Sequence, residues 1–144
     1  MGNYFSPLAG RFGVMPNLLV GRCSAAIGNS TTTTYNFGGH PAKSIINRAV
    51  VSAGTVPAST SGTILGVLQK SDASADAAVA LTDNIDLEAL TAHEGTAVTL
   101  LTTLTDAQKL LDTGDTVRFV VTTNNTVTTA AVDLVVNVEL LVQN

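Results

Sequence analysis

Charged side chains are scarce in this chain of 144 residues, at 12% of the sequence against about 25% in typical globular proteins. A monomer that moves freely in water normally carries more surface charge, so this composition favours a protein that buries part of its surface against a partner. The net charge is −4, and the few basic residues form no cluster. Nucleic acid is therefore not expected as a partner.

Cysteine and long apolar runs are also scarce. The single cysteine, Cys23, excludes a disulfide framework within the chain. No apolar run reaches the roughly 18 residues that a transmembrane helix needs, so we expect no membrane partner. The N-terminus has no apolar segment behind a basic start, and we expect no signal peptide there.

Motifs that carry chemistry are missing as well. The sequence contains no Gly-x-Ser-x-Gly turn and no glycine-rich phosphate-binding loop with lysine. The run from Leu110 to Gly114 resembles the catalytic loop of retroviral-type aspartic proteases, but only 30 residues follow it, too few for the rest of that fold. We interpret it as a helix end and turn. No catalytic residue, metal ligand or cofactor is predicted, and the chain is not expected to be an enzyme.

The charges that are present divide unevenly along the chain. Residues 1–71 contain five basic residues and no acidic one, whereas residues 72–144 contain all 11 acidic residues and two basic ones. The two parts therefore carry net charges of +5 and −9. Blocks this unequal are typical of surfaces that meet an oppositely charged partner.

Aromatic residues are concentrated near the N-terminus, in a segment otherwise rich in glycine and proline. Flexible tails are normally poor in aromatic residues, so we interpret residues 1–42 as an extended N-terminal arm that buries its rings on another chain. The alternative is that the arm folds back on its own domain. The candidate partner-binding residues, in which the arginines are expected to meet acidic groups, are Tyr4, Phe5, Arg11, Phe12, Arg22, Tyr35 and Phe37.

Residues 43–144 have the pattern of about eight short strands separated by turns at intervals of roughly 8–12 residues. This pattern predicts an all-β domain, an antiparallel β-sandwich of the jelly-roll or immunoglobulin-like type. One short connector helix is predicted where Thr105 and Gln108 form a capping box, with Leu110 and Leu111 on its apolar side and Gly114 at its end.

The C-terminal 30 residues give the strongest local pattern. Apolar residues alternate without a break from Ala130 to Val142, and the Asn124-Asn125 pair suits a type I′ hairpin that would place Phe119 opposite Ala130. The strand from 127 to 142 is longer than usual, so we expect a bend or bulge in it. The predicted core residues are Phe119, Val132, Leu134, Val136 and Val138.

Two apolar residues, Val135 and Leu141, lie on the second face of this last strand. They are covered either by the other sheet or by another subunit. Together with the low surface charge, they favour a homo-oligomer.

The sequence resembles the small β-sandwich capsid decoration (cement) proteins of tailed bacteriophages. The resemblance covers about residues 43–144 and rests on the stretches Val50–Ala58 and Leu104–Val117 and on the terminal strand rich in Thr, Ala and Val. It implies a structural protein, made in the host cytoplasm, that binds the major capsid protein on the outside of the virion and stabilises the shell. It also implies a homotrimer and no catalytic residues.

Other functions remain open at this point. The chain is alternatively another virion surface component, such as a head-fibre base, a tail protein or a glycan-binding adhesin. A glycan binder should display aromatic residues on the sandwich itself, whereas residues 43–144 contain only Phe119, which the pattern places inside.

Overall fold

The computed structural model describes residues 14–41, 43–72 and 78–143, and nearly all of their regular structure is strand. The elements in chain order are β1 (Val14–Arg22), β2 (Thr32–Phe37), β3 (Ser44–Ser52), β4 (Ala58–Ser59), β5 (Ile64–Ser71), β6 (Ala78–Ala80), β7 (Ile85–Asp86), β8 (Gly95–Val98), α1 (Asp106–Lys109), β9 (Leu110–Leu111), β10 (Thr116–Thr123), β11 (Val127–Thr129) and β12 (Val135–Gln143).

Two antiparallel sheets form the body of the molecule. The first sheet has the order β1-β12-β3-β8, with β9 also paired to β3, and the second has the order β2-β10-β5-β6, with β7 also paired to β5. A further short sheet pairs β4 with β11. The all-β sandwich prediction is confirmed.

The strand order distinguishes between the two types of sandwich that the sequence allowed. The chain enters the first sheet at β1, crosses to the second at β2 and returns at β3, and the last long strand, β12, lies between β1 and β3. An immunoglobulin domain pairs its first two strands in one sheet, whereas here they lie in different sheets. The order is that of a jelly roll.

The core lies between the two sheets and follows the period-two pattern of the sequence. In β10 every second side chain is buried, and in β5 the same alternation holds along the whole strand. Of the five predicted core residues, four are buried, namely Phe119, Leu134, Val136 and Val138.

The fifth predicted core residue is exposed. Val132 is 51% exposed because the alternation of β12 does not extend back to it. Asp133 has φ 51°, which turns the chain between Val132 and β12, and Val132 pairs instead with Thr55 in an isolated bridge. The expected irregularity in the long terminal strand is this break, which separates β11 from β12.

The predicted hairpin at Asn124-Asn125 is wrong. Both edges of β10 are occupied by other strands, since Phe119 lies opposite Tyr35 of β2 on one side and Leu68 of β5 on the other. The chain after Asn125 therefore leaves the second sheet, and Val127 pairs with Ser59 of β4.

The connector helix is present and is shorter than predicted. Its capping box is formed as expected, with Thr105 Oγ1 accepting from the backbone N–H of Gln108 and the Gln108 side chain accepting from that of Thr105. Leu110 and Leu111 form β9 rather than a helical face, and Gly114, with φ 91°, lies in the turn that follows.

Residues 14–41 do not form an arm separate from the sandwich, which corrects the boundary predicted after residue 42. β1 pairs with β12 over nine residues, and β2 pairs with β10 over six. Leu19, Tyr35 and Phe37 are buried in the shared core, so this part of the chain folds back on its own domain. Residues 1–13 lie outside the described residues.

Candidate interaction surface

The structure separates the seven predicted partner-binding residues into three groups. Tyr4, Phe5, Arg11 and Phe12 lie outside the described residues. Arg22 is exposed at the end of β1. Tyr35 and Phe37 are buried in the core and are not available to a partner in this fold.

Tyr35 is buried, and its hydroxyl has a hydrogen-bond partner inside the protein. Its hydroxyl donates a hydrogen bond of 2.7 Å to the backbone oxygen of Ala25, which satisfies the polar end of the ring. Burial and, to a smaller extent, the nearby Cys23 together raise the pKa of Tyr35 to about 12. The ring therefore anchors the loop between β1 and β2.

The outer side of the first sheet carries apolar residues in register on neighbouring strands. Val20 lies opposite Asn137 of β12, which lies opposite Val50 of β3, so Val20 and Val50 share this face. In the same way Arg22 of β1 lies opposite Val135 of β12. On β1, Leu18 is 58% exposed and Val20 is 47% exposed.

One ion pair interrupts this apolar face. Arg48 Nε lies 2.8 Å from Glu139 Oε2, and Asn47 Nδ2 donates to Glu139 Oε1 at 2.6 Å. Asn47 and Arg48 are adjacent in sequence, and a bulge in β3 leaves both exposed beside Glu139. These contacts lower the pKa of Glu139, the Asn47 hydrogen bond being the largest cause.

The large apolar residues that are exposed among the described residues are Leu18, Val20 and Val132. Leu18 and Val20 alternate with Leu19 along β1, on the same face as Arg22. Val132 borders a cleft of about 300 Å³ together with Arg22 and Val135, at the end of the first sheet where β1 stops. We call the set Leu18, Val20, Arg22, Val132 and Val135 the β1 patch. Exposed apolar residues that form a contiguous patch are typical of interaction surfaces.

The sequence indicates only part of the β1 patch. Its patterns point to Arg22 and Val135, but they place Val132 inside the core and predict no surface role for Leu18 and Val20. The signal that was available is the sequence Leu18-Leu19-Val20, in which two apolar residues flank a third. In a strand with one buried face, such a run must point apolar side chains to both sides.

A buried ion pair lies at the opposite end of β10 from the Asn124-Asn125 turn. Lys70 Nζ is 3.1 Å from Asp115 Oδ2, and the two side chains are 8% and 4% exposed. Lys70 also donates to the backbone oxygen of Leu110, and Asp115 accepts from the backbone N–H of Asp112 at 2.9 Å. The pair thus ties β5 to the turn that precedes β10.

This turn contains the Asp112-Thr113-Gly114 triplet noted in the sequence. Asp112 is exposed, and its backbone holds the turn closed through hydrogen bonds with Asp115. On the far side His40 Nε2 contacts the backbone oxygen of Asp115 at 2.6 Å. These hydrogen bonds close a turn between β9 and β10, and the Asp112-Thr113-Gly114 triplet lies within that turn.

The described residues contain no group of three or more His, Cys, Asp or Glu side chains placed to hold a metal ion. Within the same residues no helix is long and apolar enough to cross a membrane. No family model, curated protein or solved structure matches the chain.

Proposed function

We propose that the chain is a structural protein of a virion that binds the outer surface of a viral capsid through the major capsid protein and stabilises the shell. In this proposal it acts as a homotrimer, without a cofactor and without catalysis, as the capsid decoration proteins of tailed bacteriophages do. The observation that carries the proposal is the β1 patch, an apolar surface on a charge-poor jelly roll, which is typical of a subunit of an assembly.

The β1 patch supports an assembly role because exposed apolar area is costly in water. Burial of apolar surface contributes about 25 cal/mol per Å². A subunit that carries Leu18 and Val20 about half exposed gains stability when another protein surface covers them. The 12% content of charged residues supports the same role, since little charge must be desolvated when the surface is covered.

The placement of the aromatic rings favours this proposal over a glycan-binding adhesin. Tyr35, Phe37 and Phe119 are all buried, so the described residues offer no exposed ring for a sugar to stack on. The remaining rings are Tyr4, Phe5 and Phe12, which lie outside the described residues. In the proposal these three rings are the anchor on the shell, because buried rings dominate the energetics of protein interfaces.

Co-sedimentation with capsid shells tests the proposal. Shells assembled from the major capsid protein of the virus that encodes this chain, and free of DNA, are mixed with increasing amounts of the purified protein. We expect saturable binding and a rise in the temperature at which the shells come apart. Absence of saturable binding contradicts the proposal, and binding to immobilised glycans instead supports the adhesin alternative.

A matched pair of variants tests the anchor. The triple variant Tyr4→Ser, Phe5→Ser and Phe12→Ser should lose shell binding at least about tenfold, because each ring contributes roughly 2–3 kcal/mol when it is buried. The control variant Asn3→Ser with Ser6→Ala leaves the rings in place and should bind as the natural sequence does. Equal binding by both variants would assign the anchor to another surface.

A further inference from the structure

The two opposite edges of the sandwich differ in charge, because they are formed by differently charged parts of the sequence. β1 and β2 form one pair of sheet edges, and β8 with β6 and β7 forms the other. Residues 14–41, which include β1 and β2, contain Arg22 and no acidic residue. Residues 78–104, which include β6, β7 and β8, contain four acidic residues and no lysine or arginine.

The acidic edge carries a groove. It has a volume of about 200 Å³ and is bordered by the loop before β7 and by β8, so it opens between the edges of the two sheets. Ile85, Ala97 and Val98 give it apolar walls, and Asp83 is exposed at its rim. We call this the β7–β8 groove. It offers apolar surface next to a negative charge.

The β1 patch has the complementary properties. It presents the aliphatic side chains of Leu18 and Val20 on an edge strand, and the positive charge of Arg22 two residues beyond Val20. Its apolar residues are of the kind that the walls of the β7–β8 groove can bury. Arg22, which borders the same cleft as the exposed Asp133, carries a charge opposite to that of Asp83. Complementary charge across an interface selects the partner and sets its orientation.

From this complementarity we infer that the β1 patch of one copy docks in the β7–β8 groove of a second copy. The inference deepens the proposed function, because it assigns the contact between subunits of the homo-oligomer. The contact is head to tail, since the two surfaces are different parts of the chain. A head-to-tail contact can close into a ring, which is the arrangement that a homotrimer requires.

The β1 edge itself restricts how a neighbour can approach. Pro16 has no N–H, and the N–H of Leu18 is taken by the side chain of Asn17 at 2.7 Å. Two backbone donors that could extend the first sheet into a neighbour are thus lost. The side chains of the patch, rather than the backbone, make the contact.

Charge reversal tests the inference on the full-length protein without shells. Analytical ultracentrifugation measures the association of Arg22→Glu and of Asp83→Lys, each of which places like charges in the contact and should weaken it at least about tenfold. The matched controls are Lys43→Glu and Asp112→Lys, which reverse exposed charges outside both surfaces and should associate as the natural sequence does. The double variant Arg22→Glu with Asp83→Lys should recover association.

Mixing the two single variants tests the head-to-tail arrangement. In the mixture the natural patch of Asp83→Lys meets the natural groove of Arg22→Glu, and the two reversed charges also attract each other, so mixing should restore the association that each variant alone has lost. A natural sequence that is monomeric at micromolar concentration overturns the inference, as does association that Arg22→Glu and Asp83→Lys leave unchanged. Neither result bears on shell binding, which the co-sedimentation experiment measures separately.

Discussion

Phe119 is the largest fully buried side chain among the described residues, and its ring packs on the backbone of Gly66. Phe119→Ala should lower the free energy of unfolding by about 3–5 kcal/mol, because it removes a large buried group and leaves a cavity. Urea denaturation measures the change. Val120→Ala, on the half-exposed face of the same strand, is the control and should cost much less; a loss below about 1 kcal/mol for Phe119→Ala would place the ring outside the core.

Gly21 is required where it lies because the Phe37 ring occupies the space that a side chain would fill. A Cβ at Gly21 would lie 2.2 Å from ring atoms of Phe37, so Gly21→Ala should cost about 1–3 kcal/mol through overpacking. Gly38 has nothing within 4 Å of a Cβ, and Gly38→Ala is the matched control. Thermal unfolding compares the two; equal melting temperatures would show that the ring does not cover Gly21.

Cys23 should react slowly in the folded protein. Burial raises the pKa of its thiol from 9.0 to about 12, and the thiolate is the reactive form. At pH 8 alkylation by iodoacetamide should be at least about a hundredfold slower than in the urea-unfolded chain, as followed by mass spectrometry. Because the folded pKa is raised, this group also lowers stability as pH rises above 9.0. Equal alkylation rates in both states would contradict the burial.

The aromatic residues show what the sequence could and could not predict at this scale. Phe119 lies in a strand whose apolar residues alternate, so its burial could be read from the period alone. Tyr35 and Phe37 lie in a segment of threonine, glycine and asparagine, where no such period is visible. Their burial depends on β10, about 80 residues later in the chain, and no local pattern records that contact.

At the scale of the elements, long-range pairing overrides a good local turn signal. The Asn124-Asn125 pair suits a hairpin, but β10 is already paired on both edges by β2 and β5. The asparagine backbone instead accepts from Ser30, whose N–H lies 3.1 Å from the oxygen of Asn125. The helix start, by contrast, was predictable because a capping box is complete within four residues.

Asp133 marks the place where the terminal strand breaks. Its φ of 51° lies in the left-handed region, which aspartate tolerates and β-branched residues do not. Asp133→Val should therefore cost about 1–2 kcal/mol, and Asp133→Gly should cost less or nothing. Thr129→Val, at an exposed position of β11, is the control in urea denaturation. A stable Asp133→Val variant would show that the break does not depend on this conformation.

At the scale of the whole molecule, the jelly roll makes the N-terminal segment part of the fold. β1 covers the edge of β12, and β2 covers the edge of β10, so each sheet depends on a strand from residues 14–41. The composition of this segment resembles that of a linker, and its role in the sheets could not be derived without the strand order. The uneven distribution of charge, in contrast, can be read from the sequence. The strand order then places the acid-free strands β1 and β2 and the acidic segment with β6, β7 and β8 at opposite edges of the sandwich.

Truncation distinguishes the roles of the two parts of the N-terminal segment. Deletion of residues 1–42 removes two edge strands and the core residues Leu19, Tyr35 and Phe37, so this variant should lose its cooperative unfolding transition. Deletion of residues 1–13 leaves β1, the β1 patch and the β7–β8 groove in the chain. This shorter truncation should unfold cooperatively and remain oligomeric in ultracentrifugation, but it should no longer sediment with capsid shells, because Tyr4, Phe5 and Phe12 are gone. If the shorter truncation binds shells as well as the full chain does, these rings are not the anchor. If it is monomeric, the subunit contact depends on residues 1–13 and not on the groove.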